Sequence, residues 1–220
     1  MIATTAAVSL GLLVGARHAF EPDHLAAVST LVTTSRGARS AALLGMLWGI
    51  GHTIALLVVG VALVALDGAL PSRVGAAFEL AVAAMLIVLG ARAVIRGVRN
   101  PGGGTAIHRH GGIEHVHAGA CEHVHVGARA FAWRPLTIGL VHGLAGSGAL
   151  TALVFAELPT SSARVVYMIV FGAGSVVGMA LATSVAGVAL QHVARGRATR
   201  RWLAITSGVV SCCVGIAWAL

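Results

Sequence analysis

Long runs of apolar residues, separated by short polar stretches, follow one another along the whole chain. A helix needs roughly twenty apolar residues to cross the hydrocarbon core of a bilayer. The apolar runs approach or exceed that length, so the pattern predicts an all-α integral membrane protein with about six transmembrane helices. The predicted spans cover residues 3–31, 41–66, 75–95, 136–156, 164–190 and 202–220.

The first predicted span contains an interruption. Only about fifteen residues precede Arg17, so the helix reaches a membrane-spanning length only if it continues through residues 25–32. Pro22 has no N–H to bond the carbonyl of His18, four residues earlier, so we expect a kink that frees this carbonyl. Freed backbone within a membrane is tolerated where it faces protein or a water-filled cavity.

Composition and charge agree with a membrane protein. Of the 220 residues, 57% are hydrophobic and 10% are charged, which argues against an ordinary soluble domain. All fifteen basic residues are arginines, and most lie between the apolar runs. We therefore interpret the net charge of +8 as a topology signal and expect the lipid bilayer, and not nucleic acid, as the partner.

The arginines also predict an orientation. The first, third and fifth loops hold eleven of them, whereas the second and fourth hold only Arg73 and Arg164. By the positive-inside rule the odd-numbered loops are cytoplasmic. The prediction is a multi-pass protein of the bacterial inner membrane with both termini outside.

An internal repeat relates the two halves of the chain. The sequence predicts two inverted three-helix repeats, because a duplicated unit with an odd number of spans must reverse its direction across the bilayer. We expect residues 1–98 and 135–220 to be the repeats, and 99–134 to be a cytoplasmic loop. The matching segments are "WGIGH" with "FGAGS" at an offset of 123, "GARH" with "GLVH" at 124, and Gly90 with Gly215 at 125.

Ionisable residues at membrane depth are the first candidate chemistry. His18, Asp23 and His24 would point in different directions on a straight helix, but a break at Pro22 lets them converge. Two imidazoles and a carboxylate suit a divalent transition metal such as nickel, cobalt or zinc. The alternative is a polar interfacial loop. We favour the metal because intramembrane ionisable groups are costly and usually functional. Glu21 and Arg17 are not expected to be ligands and are spaced to pair with each other.

Two further histidines lie inside later spans. His52 is the only ionisable residue of the second span, and the glycines beside it permit close approach of another helix. His142 is the repeat counterpart of His18, but Ser147 and Gly148 stand where Asp23 and His24 stand in the first copy. We expect both histidines at the metal path, with a structural hydrogen-bonding role as the alternative for each.

The third loop is rich in histidine. The repeated segments "EHVHAGA" and "EHVHVGA" lie eight residues apart, with Cys121 between them. The abundance of glycine predicts a segment without packed structure, and closely spaced histidines can capture borderline divalent ions. A low-complexity linker is the alternative. The candidate ligands are His108, His110, His115, His117, His123 and His125.

These motifs resemble the nickel/cobalt transporter superfamily, in particular its short UreH-type members. The family signature H-x4-D-H is matched by His18, Asp23 and His24, and a Gly-His-Ser/Thr element is matched by residues 51–53. A His-rich loop halfway along the chain is also common in the family. Longer members carry the signature in their second span, whereas here it falls in the first.

The resemblance implies a secondary transporter of Ni²⁺, with Co²⁺ as a second candidate ion, that supplies a nickel enzyme such as urease. No permanent cofactor is implied. Efflux of the same metals is an alternative, and so is a non-transporting accessory protein that binds nickel-enzyme maturation proteins. A thiol–disulfide relay is disfavoured because Cys212 and Cys213 are adjacent on one helix. No hydrolase spacing of catalytic residues occurs, so we do not expect an enzyme.

Overall fold

The protein is described by a computed structural model. The described residues are 2–32, 38–65, 71–99, 105–110, 113–118, 124–126, 129–131, 133–144, 158, 160–193 and 196–220. Their helices are α1 (Ile2–His18), α2 (Pro22–Val32), α3 (Ala38–Ala65), α4 (Ser72–Arg99), α5 (133–144), α6 (Ser161–Val193) and α7 (Arg197–Ala219). Four short strands, β1 (Thr105–His110), β2 (Ile113–Ala118), β3 (Val124–Val126) and β4 (Arg129–Phe131), lie between α4 and α5.

Four of the helices are long and apolar enough to cross a membrane: α3, α4, α6 and α7. They correspond to the second, third, fifth and sixth predicted spans. The fourth predicted span, 136–156, is described only as far as residue 144, where it is helical. The fold is therefore helical and membrane-spanning as predicted, while the number of six spans stays a prediction.

The first predicted span is broken into α1 and α2. The N–H of Phe20 bonds the carbonyl of Arg17 at 2.9 Å, which tightens the end of α1. Pro22 then occupies the first position of α2, where its missing N–H costs nothing. The predicted break is confirmed. However, the His18 carbonyl is not freed, because the N–H of Glu21 donates to it at 3.0 Å.

Helix pairs with very close backbones form the body of the protein. α3 and α1 pack against α6, and α4 packs against α7. Helices α3 and α6 run antiparallel, since Gly45 faces Met179 whereas Gly60 faces Met168. Helices α1 and α6 run parallel, since Gly174 faces Leu12 whereas Gly178 faces Ala16. At Gly90 a Cβ atom would meet the carbonyl of Gly208, so glycine permits the approach of α4 to α7 there.

The histidine-rich segment differs from our expectation of no packed structure. Strand β1 pairs with β2, and β3 pairs with β4, each as an antiparallel hairpin. The β1–β2 register places His108 opposite His115 and Ala106 opposite His117. In this sequence histidine alternates with Ile or Val, a two-residue period that fits a strand. His123 lies outside the described residues.

Candidate metal site

The break between α1 and α2 places three of the predicted site residues together. His18 is the last residue of α1, and Asp23 and His24 lie in the first turn of α2. The ring centroids of His18 and His24 are 4.4 Å apart. Asp23 and His24 are buried, and the His18 side chain is only 12% exposed. The short turn between α1 and α2 thus directs these three side chains into the same buried region.

Helix α3 contributes His52 to the same point. Its ring centroid lies 5.2 Å from those of both His18 and His24, and the residue is fully buried. The neighbouring Gly51 faces the carbonyl of Leu136 so closely that a Cβ atom would not fit. This close packing holds α5 against α3 at the level of the histidines.

Helix α5 in turn contributes His142. Its ring centroid is 4.2 Å from that of His24 and 6.1 Å from that of His52. Gly139, one turn earlier, lies against the carbonyl of Trp48. All five residues predicted within the spans therefore lie in one buried cluster, and we call His18, Asp23, His24, His52 and His142 the histidine cluster.

Asp23 links two histidines of the cluster. His24 Nδ1 donates to Asp23 Oδ1 at 3.0 Å, and His142 Nε2 donates to Asp23 Oδ2 at 2.9 Å. An ionised carboxylate only accepts hydrogen bonds, so the protonated nitrogen of each ring faces Asp23. The other nitrogen of each ring then carries the lone pair that a metal ion requires.

Several buried ring nitrogens have no hydrogen-bond partner among the described residues. A buried polar atom without a partner typically costs about 1–3 kcal/mol, so a concentration of such atoms suits the binding of a cation. His18 likewise has one ring nitrogen on a carboxylate and one without a partner: its Nδ1 contacts Glu21 Oε2 at 3.0 Å, and its Nε2 is unpaired among the described residues. The unpaired histidine atoms are His18 Nε2, His24 Nε2, both ring nitrogens of His52, and His142 Nδ1.

The cluster offers two adjoining sets of metal ligands. In each set, one ligand atom from every residue lies within 4.8 Å of the others. His24 belongs to both sets, so a cation bound by one set would need to exchange only part of its ligands to reach the other. The sets are His18, His24 and His52, and Asp23, His24 and His142.

Two aromatic residues beside the cluster were missed by the sequence analysis. Trp48 is fully buried, with its ring 5.4 Å from His24 and 5.6 Å from His142. Phe171 lies 5.3 Å from His18. Both were noticed only as members of the repeat. The signal for Trp48 was its position four residues before His52, on the same face of α3.

The acidic residue at the break, Glu21, contacts a histidine, and not an arginine, among the described residues. The spacing in the sequence would allow Glu21 to pair with Arg17, but the Glu21 carboxylate contacts His18 instead. The helix ends at His18, so Glu21 is no longer one helical turn from Arg17. It lies half-exposed at the edge of the histidine cluster.

A helical membrane protein whose broken helix presents buried histidines and a carboxylate belongs to the class of membrane proteins equipped to handle metal cations. Comparison with known proteins is more specific. The chain belongs to the NicO family, because residues 4–218 match the family model described as "High-affinity nickel-transport protein". This confirms the resemblance seen in the sequence. The family consists of transport and accessory proteins, and the prediction that this protein is not an enzyme agrees with it.

Two relatives illustrate the breadth of the similarity. The chain is 32% identical to the urease accessory protein UreH of Bacillus sp. (strain TB-90), over 95% of this chain and 88% of that protein. It is 26% identical to the chloroplast protein FOR GROWTH AND FERTILITY 1 of Arabidopsis thaliana, over 80% of this chain and 48% of that protein. No solved structure matches significantly.

Proposed function

We propose that this protein transports Ni²⁺ across the bacterial inner membrane through the histidine cluster, and that it supplies a nickel enzyme such as urease. Co²⁺ is a second candidate ion. The observation that carries the proposal is the pair of ligand sets sharing His24 at the break between α1 and α2. Membership in the nickel-transport family supports the choice of metal.

The ligand chemistry fits an ion that must be released again. Neutral imidazole nitrogens suit Ni²⁺, Co²⁺ and Zn²⁺, and none of the cluster residues is a thiolate that would bind such ions more permanently. We assign His18, His24 and His52 as ligands of one position and Asp23, His24 and His142 as ligands of the next. If the ion passes between adjoining sites, each site can bind it weakly enough for the ion to leave.

Asp23 has a further role in this proposal. A carboxylate that accepts from the second nitrogen of a ligating histidine fixes the ring and increases its basicity. Asp23 stands in this relation to both His24 and His142. It orients the ring of His24 while the ion is bound by the first set and becomes a direct ligand when the ion moves to the second.

We also propose that the helices form two inverted repeats, residues 1–98 and 135–220. Reciprocal contacts support this arrangement. Gly15 lies against the carbonyl of Phe171, and their repeat counterparts Gly139 and Trp48 lie against each other in the same way. A two-fold axis in the membrane plane would generate such pairs.

A second pair of helices supports the same symmetry. Gly90 lies against the carbonyl of Gly208. At the offset of 125 residues their counterparts are Gly215 and Ala83, and Gly215 lies against the carbonyl of Ala83. Transporters with such repeats bind their substrate near the middle of the bilayer, beside a broken helix.

The segment 99–134 completes the proposal as a cytoplasmic metal collector. Its six histidines, from His108 to His125, are borderline ligands close together in the chain. The arginine distribution favours a cytoplasmic position for this segment, with both termini outside. A collector suits an importer that passes nickel to maturation proteins, and it equally suits an exporter. The likeness to a urease accessory protein favours supply.

Nickel flux in proteoliposomes, measured in both directions, tests the transport function. We expect wild type to carry Ni²⁺ and His24→Ala to abolish the flux, because both ligand sets lose a member. His192→Ala is the matched control, since His192 is exposed at the end of α6 and bonds only the carbonyl of Val188 among its described contacts. Folded wild type without flux in either direction would refute the carrier function and favour the accessory role.

A further inference from the structure

A second cavity lies away from the histidine cluster, between α2, α6 and α7. Its volume is about 290 Å³, near the lower end of ligand pockets in proteins. On α2 it is lined by Ser29 and Val32, which follow His24 by five and eight residues. The cavity is therefore near the end of the bundle where α2 and α6 finish and α7 begins.

The walls of this cavity suit a hydrocarbon chain. From α6 it is lined by residues spaced three, four and seven apart, which form one face of the helix: Ala186, Ala189, Leu190 and Val193. From α7 it is lined by Leu203 and Ser207. The two serine hydroxyls in the lining donate to carbonyls of their own helices, Ser29 to Ala26 and Ser207 to Ala204.

A basic residue lies on the cavity face of α7. Arg200 precedes Leu203 by three residues and Ser207 by seven, so the three share one helix face. Arg200 is exposed. The adjacent Arg201 has a different setting, because its carbonyl faces Gly97 of α4 and its guanidinium lies 6.0 Å from the ring of Trp202. Trp202 is 61% exposed, as is common for tryptophan at a membrane interface.

We propose that this cavity binds an anionic phospholipid, with an acyl chain between α2, α6 and α7 and the headgroup phosphate on Arg200. An arginine at the interface end of an apolar intramembrane cavity complements the two parts of such a lipid. A second copy of this chain fits less well, since the protein has fifteen basic residues against seven acidic ones and offers little negative charge to Arg200. The site shares no residue with the histidine cluster.

Native mass spectrometry of the full chain in detergent tests this site. Phosphatidylglycerol and phosphatidylcholine with the same acyl chains are added in equal amounts. We expect wild type to retain phosphatidylglycerol in preference, and Arg200→Gln to reduce this preference about fivefold. Arg201→Gln removes the same charge from the neighbouring face and is expected to leave the preference unchanged. Ala189→Phe is expected to lower the occupancy by both lipids, because it fills the cavity; Ala186→Leu provides the same test by a smaller change.

Three results would overturn the proposal. Equal retention of the two lipids by wild type would show that the cavity does not select a lipid with a net negative charge. If Arg200→Gln and Arg201→Gln reduced the preference for phosphatidylglycerol equally, the preference would come from a diffuse attraction between the arginines of this region and anionic lipid. A cavity-filling variant that changes the oligomeric mass without changing lipid retention would identify the cavity as a contact between copies of the chain.

Discussion

The carboxylate of Asp23, on α2, accepts a hydrogen bond from the imidazole of His142, on α5, at 2.9 Å. The two residues are 119 positions apart, and both are buried. The contact joins the helix break in the first half of the chain to a helix of the second half. The site is therefore assembled by the packing of the two halves, and not by the signature motif alone.

The orienting role of Asp23 predicts a loss of metal affinity in Asp23→Asn. The amide keeps the shape of the side chain but loses its charge, and it cannot accept through both terminal atoms. We expect the affinity for Ni²⁺ to fall about 10- to 100-fold, as for other residues that orient metal ligands. Isothermal titration calorimetry of the detergent-solubilised protein measures the change.

Glu79→Gln is the matched control, because Glu79 is an exposed carboxylate on α4 outside the histidine cluster. Equal affinities for wild type and Asp23→Asn would show that the bridge between His24 and His142 has no part in metal binding.

The break at Pro22 predicts that Pro22→Ala also weakens binding. Alanine restores an N–H at this position and favours a continuous helix from α1 to α2. In a continuous helix His18 and His24 are six residues apart and point in different directions. We expect at least a tenfold loss of Ni²⁺ affinity, measured by the same calorimetry, with helical content retained in circular dichroism.

Pro71→Ala provides the control for the loss of a proline. Pro71 is exposed, and its backbone carbonyl accepts hydrogen bonds from the N–H groups of Val74 and Gly75 at the start of α4. An alanine at position 71 keeps this carbonyl. If Pro22→Ala binds nickel as wild type does, the break is not required for the site.

Close helix packing predicts that Gly139→Ala affects both stability and the site. The added Cβ would meet the carbonyl of Trp48, so α5 must move away from α3. Overpacking of this kind typically costs about 1–3 kcal/mol. We expect a lower Tm and weaker Ni²⁺ binding, because His142 lies one turn further along α5.

Gly11→Ala is the control for this substitution. Its Cβ would approach only side chains, at 3.0 Å from Val170 and 3.5 Å from Tyr167, and these can adjust. A Gly139→Ala protein with the Tm and affinity of wild type would exclude the tight α3–α5 contact as a support of the site.

The parts of the site that the sequence predicted are those that depend on local rules. Pro22 predicted the break because the missing N–H acts within one helical turn. His52 and His142 were predicted because an ionisable residue in an apolar run is unusual enough to indicate function. The repeat suggested that His142 corresponds to His18, but not that it contacts Asp23.

The parts that were missed depend on tertiary contacts. Asp23 bridges His24 and His142 only because Gly51 and Gly139 let α5 approach α3. The position of Trp48 against two histidine rings has the same cause. In the third loop, the abundance of glycine outweighed the alternation of histidine with valine, so strands were not expected there.

Removal of residues 108–125 distinguishes a transporter from an accessory protein. If the segment collects metal for a transport site elsewhere, the deletion leaves the maximal Ni²⁺ flux in proteoliposomes intact and changes the concentration needed for half-maximal flux. If the protein acts by binding a maturation partner through this segment, urease activation in cells is lost.

A matched variant replaces the six histidines by asparagine and keeps the length of the segment. Since asparagine is a poor ligand for Ni²⁺, we expect this variant to reproduce the deletion. Wild-type behaviour of the asparagine variant, beside an altered deletion, would assign the effect to the length of the connection and not to metal capture.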